Sequence, residues 1–463
     1  GRLRPQRRTS RHMRGGGGGY RARTTMEMTT RRLNLSVTAD AISHAEDLAD
    51  FVAASPSSYH AAEEVARRLE ADGFTRLAEE DVWPDQRGGR FVIVRDGAAI
   101  AWAVPANATP ATANRVFGAH TDSPGFKLKP KPTTGSQGWL QAGVEIYGGP
   151  LLASWLDREL RLAGRLAMKD GSVVLAATGP LLRLPQLAIH LNREVNDHLA
   201  LEKQVETQPV WGLGDPTEAD LLAELADAAG VDAADIRGFD AVVADSARGQ
   251  VFGKDNAFFA SGRLDDLASV HAGVVALGNA ARDGFDGDHI AVLAAFDHEE
   301  IGSASRSGAA GPILEDVLVR IYASLGADDA QRRQAFVSSW CLSSDVGHSV
   351  HPNFAGKHDP VVKPLLGSGP ILKINANQRY ATDAVGAAAW IAWCESVDVA
   401  QQEFVSNNSV PCGSTIGPIT ATRLGLRTVD VGIPILSMHS ARELAGVSDL
   451  YDLSRVAGAF FTD

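Results

Sequence analysis

The chain has 463 residues, 44% of them hydrophobic, and a net charge of −12. That is enough sequence for two or three domains of ordinary globular composition. Residues 1–32 hold ten arginines against the single acid Glu27, so the remainder carries −21, which argues against a nucleic-acid-binding body. No apolar run reaches membrane-spanning length and no secretory core follows the basic start, so neither a membrane nor a nucleic acid is an expected partner. Cys341, Cys394 and Cys412 are too few and too scattered for a disulfide framework or a cysteine-rich zinc site, and a reducing, cytoplasmic location is expected.

Residues 1–34, with Gly15–Gly19 and scattered Arg and Thr, have almost nothing to bury and read as a disordered basic tail. Helical patterns follow over 40–54 and 57–71; Ser57 or Ser58 caps the second and Gly73 ends it. Residues 91–104 read as a hairpin around Asp96-Gly97. A short strand from Arg115 then runs straight into His120 and Asp122. This first stretch, 35–125, is read as the opening of a catalytic α/β domain.

Between 126 and 261 the texture changes to short β-like runs, 160–167 and 172–177, joined by Lys169-Asp170-Gly171. A capped acidic helix is expected from Asp215-Pro216 to Gly230. This segment reads as a β-rich domain inserted into the α/β one, whose pattern resumes over 262–463. There, Ala291–Phe296 is continuously apolar, as in a parallel strand buried on both faces, and Asp297, His298, Glu299 and Glu300 follow at once. An apolar strand over 335–342 leads to Asp345, His348 and His351. A short strand over 371–375 carries Lys373, with Arg379 and Tyr380 just beyond, and a last strand delivers His439.

Any one of these acid–base stations is equally a solvated strand end, but several at strand C-termini form a pattern, because open α/β sheets bind ligands there. Two histidines with several carboxylates suit zinc, manganese or cobalt, and their number exceeds one tetrahedral site, which favours two ions. Competing motifs fail. His298-Glu-Glu-Ile-Gly302 lacks the second histidine of a zincin helix, and there is no phosphate loop, dinucleotide fingerprint or Gly-x-Ser-x-Gly elbow.

Gly118-Ala-His-Thr-Asp-Ser-Pro124, Ser261-Gly-Arg-Leu-Asp-Asp-Leu267, Phe296-Asp-His-Glu-Glu-Ile-Gly-Ser303 and Asp345-Val-Gly-His-Ser-Val-His-Pro-Asn353 resemble the aspartyl aminopeptidase (M18) family. So do Gln378–Thr382, Cys412–Gly417, Asp430–Pro434 and Leu436–Glu443, collinearly from about residue 36 to the C-terminus. Asp266, where the family often has Asn, and the segment 148–159 depart from the pattern. The resemblance implies a three-layer α/β catalytic domain of the dinuclear zinc aminopeptidase type, with 126–261 as a dimerisation domain. It implies that His120, Asp265 and Asp345 hold one metal and Asp265, Glu300 and His439 the other, leaving His298 outside.

Asp265 would then bridge two divalent ions, most readily Zn²⁺, with Co²⁺ or Mn²⁺ as alternatives, roughly 3.5–4 Å apart with a water between them. Glu299 is the expected base and proton carrier. Asp122 is expected to receive the second N–H of His120 and fix its tautomer. Lys373, with Tyr380 and Arg379, is expected to select substrates with N-terminal Asp or Glu, since a pocket for an acid in an acidic body needs local cations. His190 is either a core histidine or an oxyanion donor reaching a neighbouring subunit. His348, His351 and His358 are expected outside the ligand set, and Cys412 as a small residue in a glycine-rich turn. The family also implies a homo-oligomer, dimers assembled into a dodecamer. The alternatives are a broad-specificity metalloaminopeptidase of the same fold, or a non-catalytic assembly or cargo-binding protein with a vestigial metal site.

Overall fold

The computed structural model describes residues 37–285 and 287–463. The basic tail read over 1–34 lies outside the described residues. The frame is a nine-stranded sheet whose middle consists of four parallel strands, Ile290–Phe296, Asn114–His120, Trp340–Ser344 and Arg427–Gly432, in that order. The hairpin Arg90–Arg95 and Ala98–Ala103 extends one side, pairing antiparallel with Ile290–Phe296. Ile371–Lys373 and Gln402–Phe404 extend the other. All seven residues of Ile290–Phe296 are buried, as expected for a strand covered on both faces.

Two apolar cores supply that cover. On one face pack the helices Ala39–Ala54, Ser58–Ala71, Leu264–Arg282, Ala384–Ser396 and Val447–Thr462, meeting at Phe51, Leu277, Trp390 and Phe460. On the other, Ile313–Ser324, Asp329–Val337 and Ile416–Leu424 bring Val317, Ile321, Phe336 and Ile416 against Val116 and Val292. Helix, sheet and helix make three layers. Truncating a residue as enclosed as Leu293 to alanine costs about 2–5 kcal/mol.

Residues 125–245 build their own antiparallel six-stranded sheet, ordered Val173–Ala177, Leu160–Met168, Ile236–Asp245, Gly125–Ser136, Trp139–Tyr147 and Val210–Leu213. Its helix spans Leu221–Ala229 rather than starting at Asp215-Pro216. Asp215 folds back on the Thr217 N–H and hydroxyl in a turn, and Asp220 is the residue that caps, accepting from Leu222 N–H.

A third, five-stranded sheet is made of pieces two to four residues long: Gln250–Phe252, Phe258–Ser261, Glu443–Gly446, Pro434–Leu436 and Gly347–His348. Residues 250–261, read from sequence as the end of the insert, thus pair with the C-terminal part of the chain. The apolar strand expected over 335–342 also divides. Asp329–Val337 is a helix with a capping box between Asp328 and Gln331, and the strand begins at Trp340. Among the described residues, no helix is long and apolar enough to cross a membrane.

Candidate metal centre

Parallel pairing puts Phe296 opposite His120, so two loaded strand ends open side by side. His120 closes its strand. Beyond Phe296 the chain turns through His298 at φ 61° into the short 3-10 turn Glu299–Ile301, which throws both glutamates back over the strand ends. Asp345 leaves the adjacent strand Trp340–Ser344, and it can sit there because residue 432 is glycine. A Cβ at Gly432 would stand 1.7 Å from the Asp345 carbonyl oxygen. Asp265 comes from the first turn of Leu264–Arg282, and His439 from the loop after Pro434–Leu436 at φ 67°.

The six side chains converge. His120 Nε2 lies 3.1 Å from Asp265 Oδ1 and 3.7 Å from both Asp345 Oδ1 and Glu299 Oε2. His439 Nε2 lies 3.3 Å from Asp265 Oδ2 and 3.4 Å from Glu300 Oε2. The two oxygens of Asp265 therefore face different histidines. Candidate ligand atoms of His120, Asp265 and Asp345 fall within 4.8 Å of one another, as do those of Asp265, Glu300 and His439 and those of His120, Glu299 and Glu300.

These groups fit divalent metal. His120 Nε2, Asp265 Oδ1 and Glu300 Oε1 are buried without a hydrogen-bond partner, an arrangement that costs about 1–3 kcal/mol per atom unless something else ligates it. Both imidazoles are aimed. His120 Nδ1 bonds the Asp122 carbonyl at 3.0 Å and His439 Nδ1 the Gly149 carbonyl at 2.9 Å, so each Nε2 points inward. Two imidazoles and three carboxylates are a donor set suited to zinc.

The cluster's charge shows in its proton affinities. Burial lifts the Glu299 carboxyl to about 8, with the charges of Asp345, Asp265 and Asp122 adding to it against His120. Burial and the Asp265 charge raise Glu300 well above the usual carboxylate range. For His120, burial disfavours the cation, yet Glu299 and the side chains of Asp122, Asp265 and Asp345 outweigh it, and its pKa rises well above 6.5. His439 rises to about 9 as Asp265 overcomes its burial. The carboxylates that raise the two histidines would draw a divalent cation by the same field.

Behind the ligands stand groups that local sequence does not announce. The Asp122 carboxylate accepts the N–H of Glu299 (3.0 Å), the N–H of Glu300 (3.1 Å) and the hydroxyl of Tyr147 (2.8 Å). It is the backbone carbonyl of Asp122 that bonds His120 Nδ1, with the carboxylate 3.2 Å away. Asp122 thus holds the glutamate turn as well as the histidine. Glu443 accepts the N–H of both Asp265 and His439. Asp266 accepts the His120 N–H at 3.2 Å. Tyr147 carries no local signal, and Glu443 closes the Leu436–Glu443 motif without its role being marked there.

A cleft of roughly 1020 Å³ opens over Asp265, Glu299, Glu300, Asp345 and His439, walled by Gly347, His348, Lys373, Tyr380 and Phe404. Lys373 is buried, its Nζ donating to the Val346 carbonyl at 2.9 Å and lying 5.4 Å from the centre of the Tyr380 ring. The buried Asp430 anchors this wall, accepting from Ala381 N–H and the Thr415 hydroxyl. Of the other expected residues, Arg379 is exposed, reaching the Gly413 carbonyl at 3.4 Å, and does not line the cleft. His190 is exposed in the insert and within one chain does not reach the cleft either. Cys412 packs against the cluster of Ile371, Tyr380 and Phe404. His298 bonds Ser305 and takes no place among the candidate ligands.

A three-layer α/β fold with clustered histidines and carboxylates at the strand ends defines a metallohydrolase framework. Sequence comparison then narrows it. The family described as Aminopeptidase I zinc metalloprotease (M18) matches residues 51–461. A probable M18 family aminopeptidase 2 of Streptomyces coelicolor is 52% identical over 420 residues, covering 90% of this chain and 97% of the relative. Among solved structures, the cryo-EM structure of the Ape4 and Nbr1 complex superposes with a TM-score of 0.88 at 34% identity, over 91% of this chain and 86% of the other. The S. cerevisiae mApe1 dodecamer does so with 0.79 at 29% identity, over 90% and 96%. The chain belongs to the M18 family of zinc metalloprotease aminopeptidases.

Proposed function

We propose that this chain is a two-metal aminopeptidase that releases Asp or Glu from peptide N-termini. The observation that carries the acidic preference is Lys373: a buried ammonium in the wall of the metal cleft, in no ion pair among the described residues, bonded only to a neutral carbonyl. A buried charge is costly unless paired, and since none of the cleft's carboxylates forms an ion pair with this ammonium, a substrate carboxylate would be its partner. Tyr380, stacked beside the ammonium, shapes the same subsite; Arg379 would act only from the rim.

His120, Asp265 and Asp345 would hold one ion and Asp265, Glu300 and His439 the other, most readily zinc. Ions bound there supply Lewis acidity that polarises the scissile carbonyl and makes water a better acid. The chain's residues handle position and protons. Glu299, pinned through its N–H by Asp122, takes a proton from the attacking water as the oxygen–carbon bond forms, and delivers it to the leaving amine as the carbon–nitrogen bond breaks. The exposed Leu187, Ile189, Leu191, Leu199 and Val205 of the insert support a homo-oligomer in which 126–261 forms the dimer contact and brings His190 to a neighbour's cleft. A dodecamer like that of the yeast relative follows from this reading. The three unpaired cysteines fit a reducing, cytoplasmic compartment.

The test is to strip metal with a chelator, restore zinc, cobalt or manganese, and measure release of N-terminal Asp, Glu, Ala and Leu from matched peptides. Metal-dependent release favouring Asp and Glu is expected. Equal rates would leave a broad-specificity aminopeptidase, and no release from any peptide would refute the enzymatic reading.

A further inference from the structure

Glu443 touches neither the cleft nor any group expected to meet substrate, yet it ties two candidate ligands together from behind. It is buried at the start of Glu443–Gly446, 2% exposed. One carboxylate oxygen accepts the His439 N–H at 2.8 Å and the other the Asp265 N–H at 2.9 Å. Neither N–H has a regular ladder to join. His439 stands at φ 67°, and Asp265, at φ −81° and ψ 101°, is non-helical inside its helix's first turn. The strand carrying Glu443 is itself fixed on both edges, by Ser261 opposite Glu443 on one side and Ile435 opposite Ala445 on the other. A rigid fork therefore sets the spacing of Asp265 and His439, whose facing atoms are 3.3 Å apart.

The other half of the cluster is held differently. His120 closes one central strand and Asp345 directly follows another, and no hydrogen bond connects either to Glu443. We infer that Glu443 is a positioning residue chiefly for the Asp265–Glu300–His439 metal position, where it holds two of the three ligands, and that its loss weakens that position more than the His120–Asp265–Asp345 one, where it holds only the shared Asp265. This rests on the two-ion reading above. Outer partners of metal ligands are typically worth about 10–100-fold in affinity.

The experiment is a zinc titration of the metal-free full-length protein against a competing chelator, with melting temperature recorded in parallel. Wild type should take up two ions per chain. Glu443→Ala should bind one ion about 10–100-fold more weakly and the other, whose ligands include only Asp265 from the fork, less than about 10-fold more weakly. Glu443→Gln, nearly isosteric but with one acceptor oxygen, should fall between and carries the test if the alanine variant does not fold. In a His439→Ala background, Glu443→Ala should add little further loss. Two ions with unchanged affinities in the variants, equal weakening of both positions, or full additivity with His439→Ala would each overturn the inference while leaving the two-ion reading intact. A wild type that binds a single ion would overturn both.

Discussion

Replacing Lys373 with methionine removes one charge and keeps the stem that packs beside Tyr380. In the free protein the ammonium is buried with a single neutral acceptor, the Val346 carbonyl at 2.9 Å. Losing it removes an incompletely compensated buried charge but also the favourable field of Lys373 at the buried Asp430, so the melting temperature should change little. The substrate side is the reverse. A hydrogen bond between charged partners contributes about 1.5–3 kcal/mol, so kcat/KM for N-terminal Asp and Glu should fall roughly 10–150-fold at 1.4 kcal/mol per tenfold. Peptides starting with Ala or Leu never used that charge and should change less than about 3-fold. The assay is steady-state release from four matched peptides by metal-loaded wild type and variant. An equal loss for all four would make Lys373 a general structural residue. No loss for Asp and Glu would remove it from substrate recognition.

Glu299→Gln should leave zinc content at the wild-type value while kcat falls about 10²–10⁴-fold; loss of metal instead would make Glu299 a ligand. Asp122→Asn puts an amide group against three donors, the N–H groups of Glu299 and Glu300 and the Tyr147 hydroxyl. It should lower activity about 10–100-fold, with Tyr147→Phe milder, and matching activities for Asn and wild type would refute the turn-holding role. Far from the cleft, burial beside His271 depresses His44 from 6.5 to about 3, so the folded state keeps it neutral where the unfolded state binds a proton. Its contribution to stability is therefore fully present above pH 6.5 and is lost as pH falls toward 3, by up to about 1.4 kcal/mol per unit. His44→Phe should flatten urea-unfolding stability between pH 6.5 and 4, and an unchanged slope would remove His44 from the acid response.

The sheet centre was legible because its strands are enclosed. Ile290–Phe296 is apolar throughout, and a carboxylate run immediately after it has no solvated strand face on which to hide. His120 and Asp345 stood out in the same way. Asp265 did not: it lies in a helix's first turn, and only the family motif singled it out. Tyr147 and Glu443 were beyond local reading, since Glu443 meets Asp265 across 178 residues of sequence. The five-stranded sheet escaped because strands of two to four residues show no period. At 335–342, Ala335 and Phe336 are the buried side of an otherwise polar helix and merged with the strand after them, although Asp328 and Gln331 marked a helix start.

The crowding of Asp122, Asp265, Glu299, Glu300 and Asp345 around two imidazoles has a consequence for the lifetime of the chain. In the folded state these carboxyl groups are held out of water and close together around His120, whereas the unfolded chain leaves each of them solvated and apart. Cations that relieve this crowding bind the native state alone, and a ligand at a thousand times its Kd adds about 4 kcal/mol of stability. If the proposed ions bind, metal supply would act on the protein twice, once through turnover and once through the fraction of molecules folded at any moment. On the two-ion reading, withholding metal should lower the melting temperature as well as the activity.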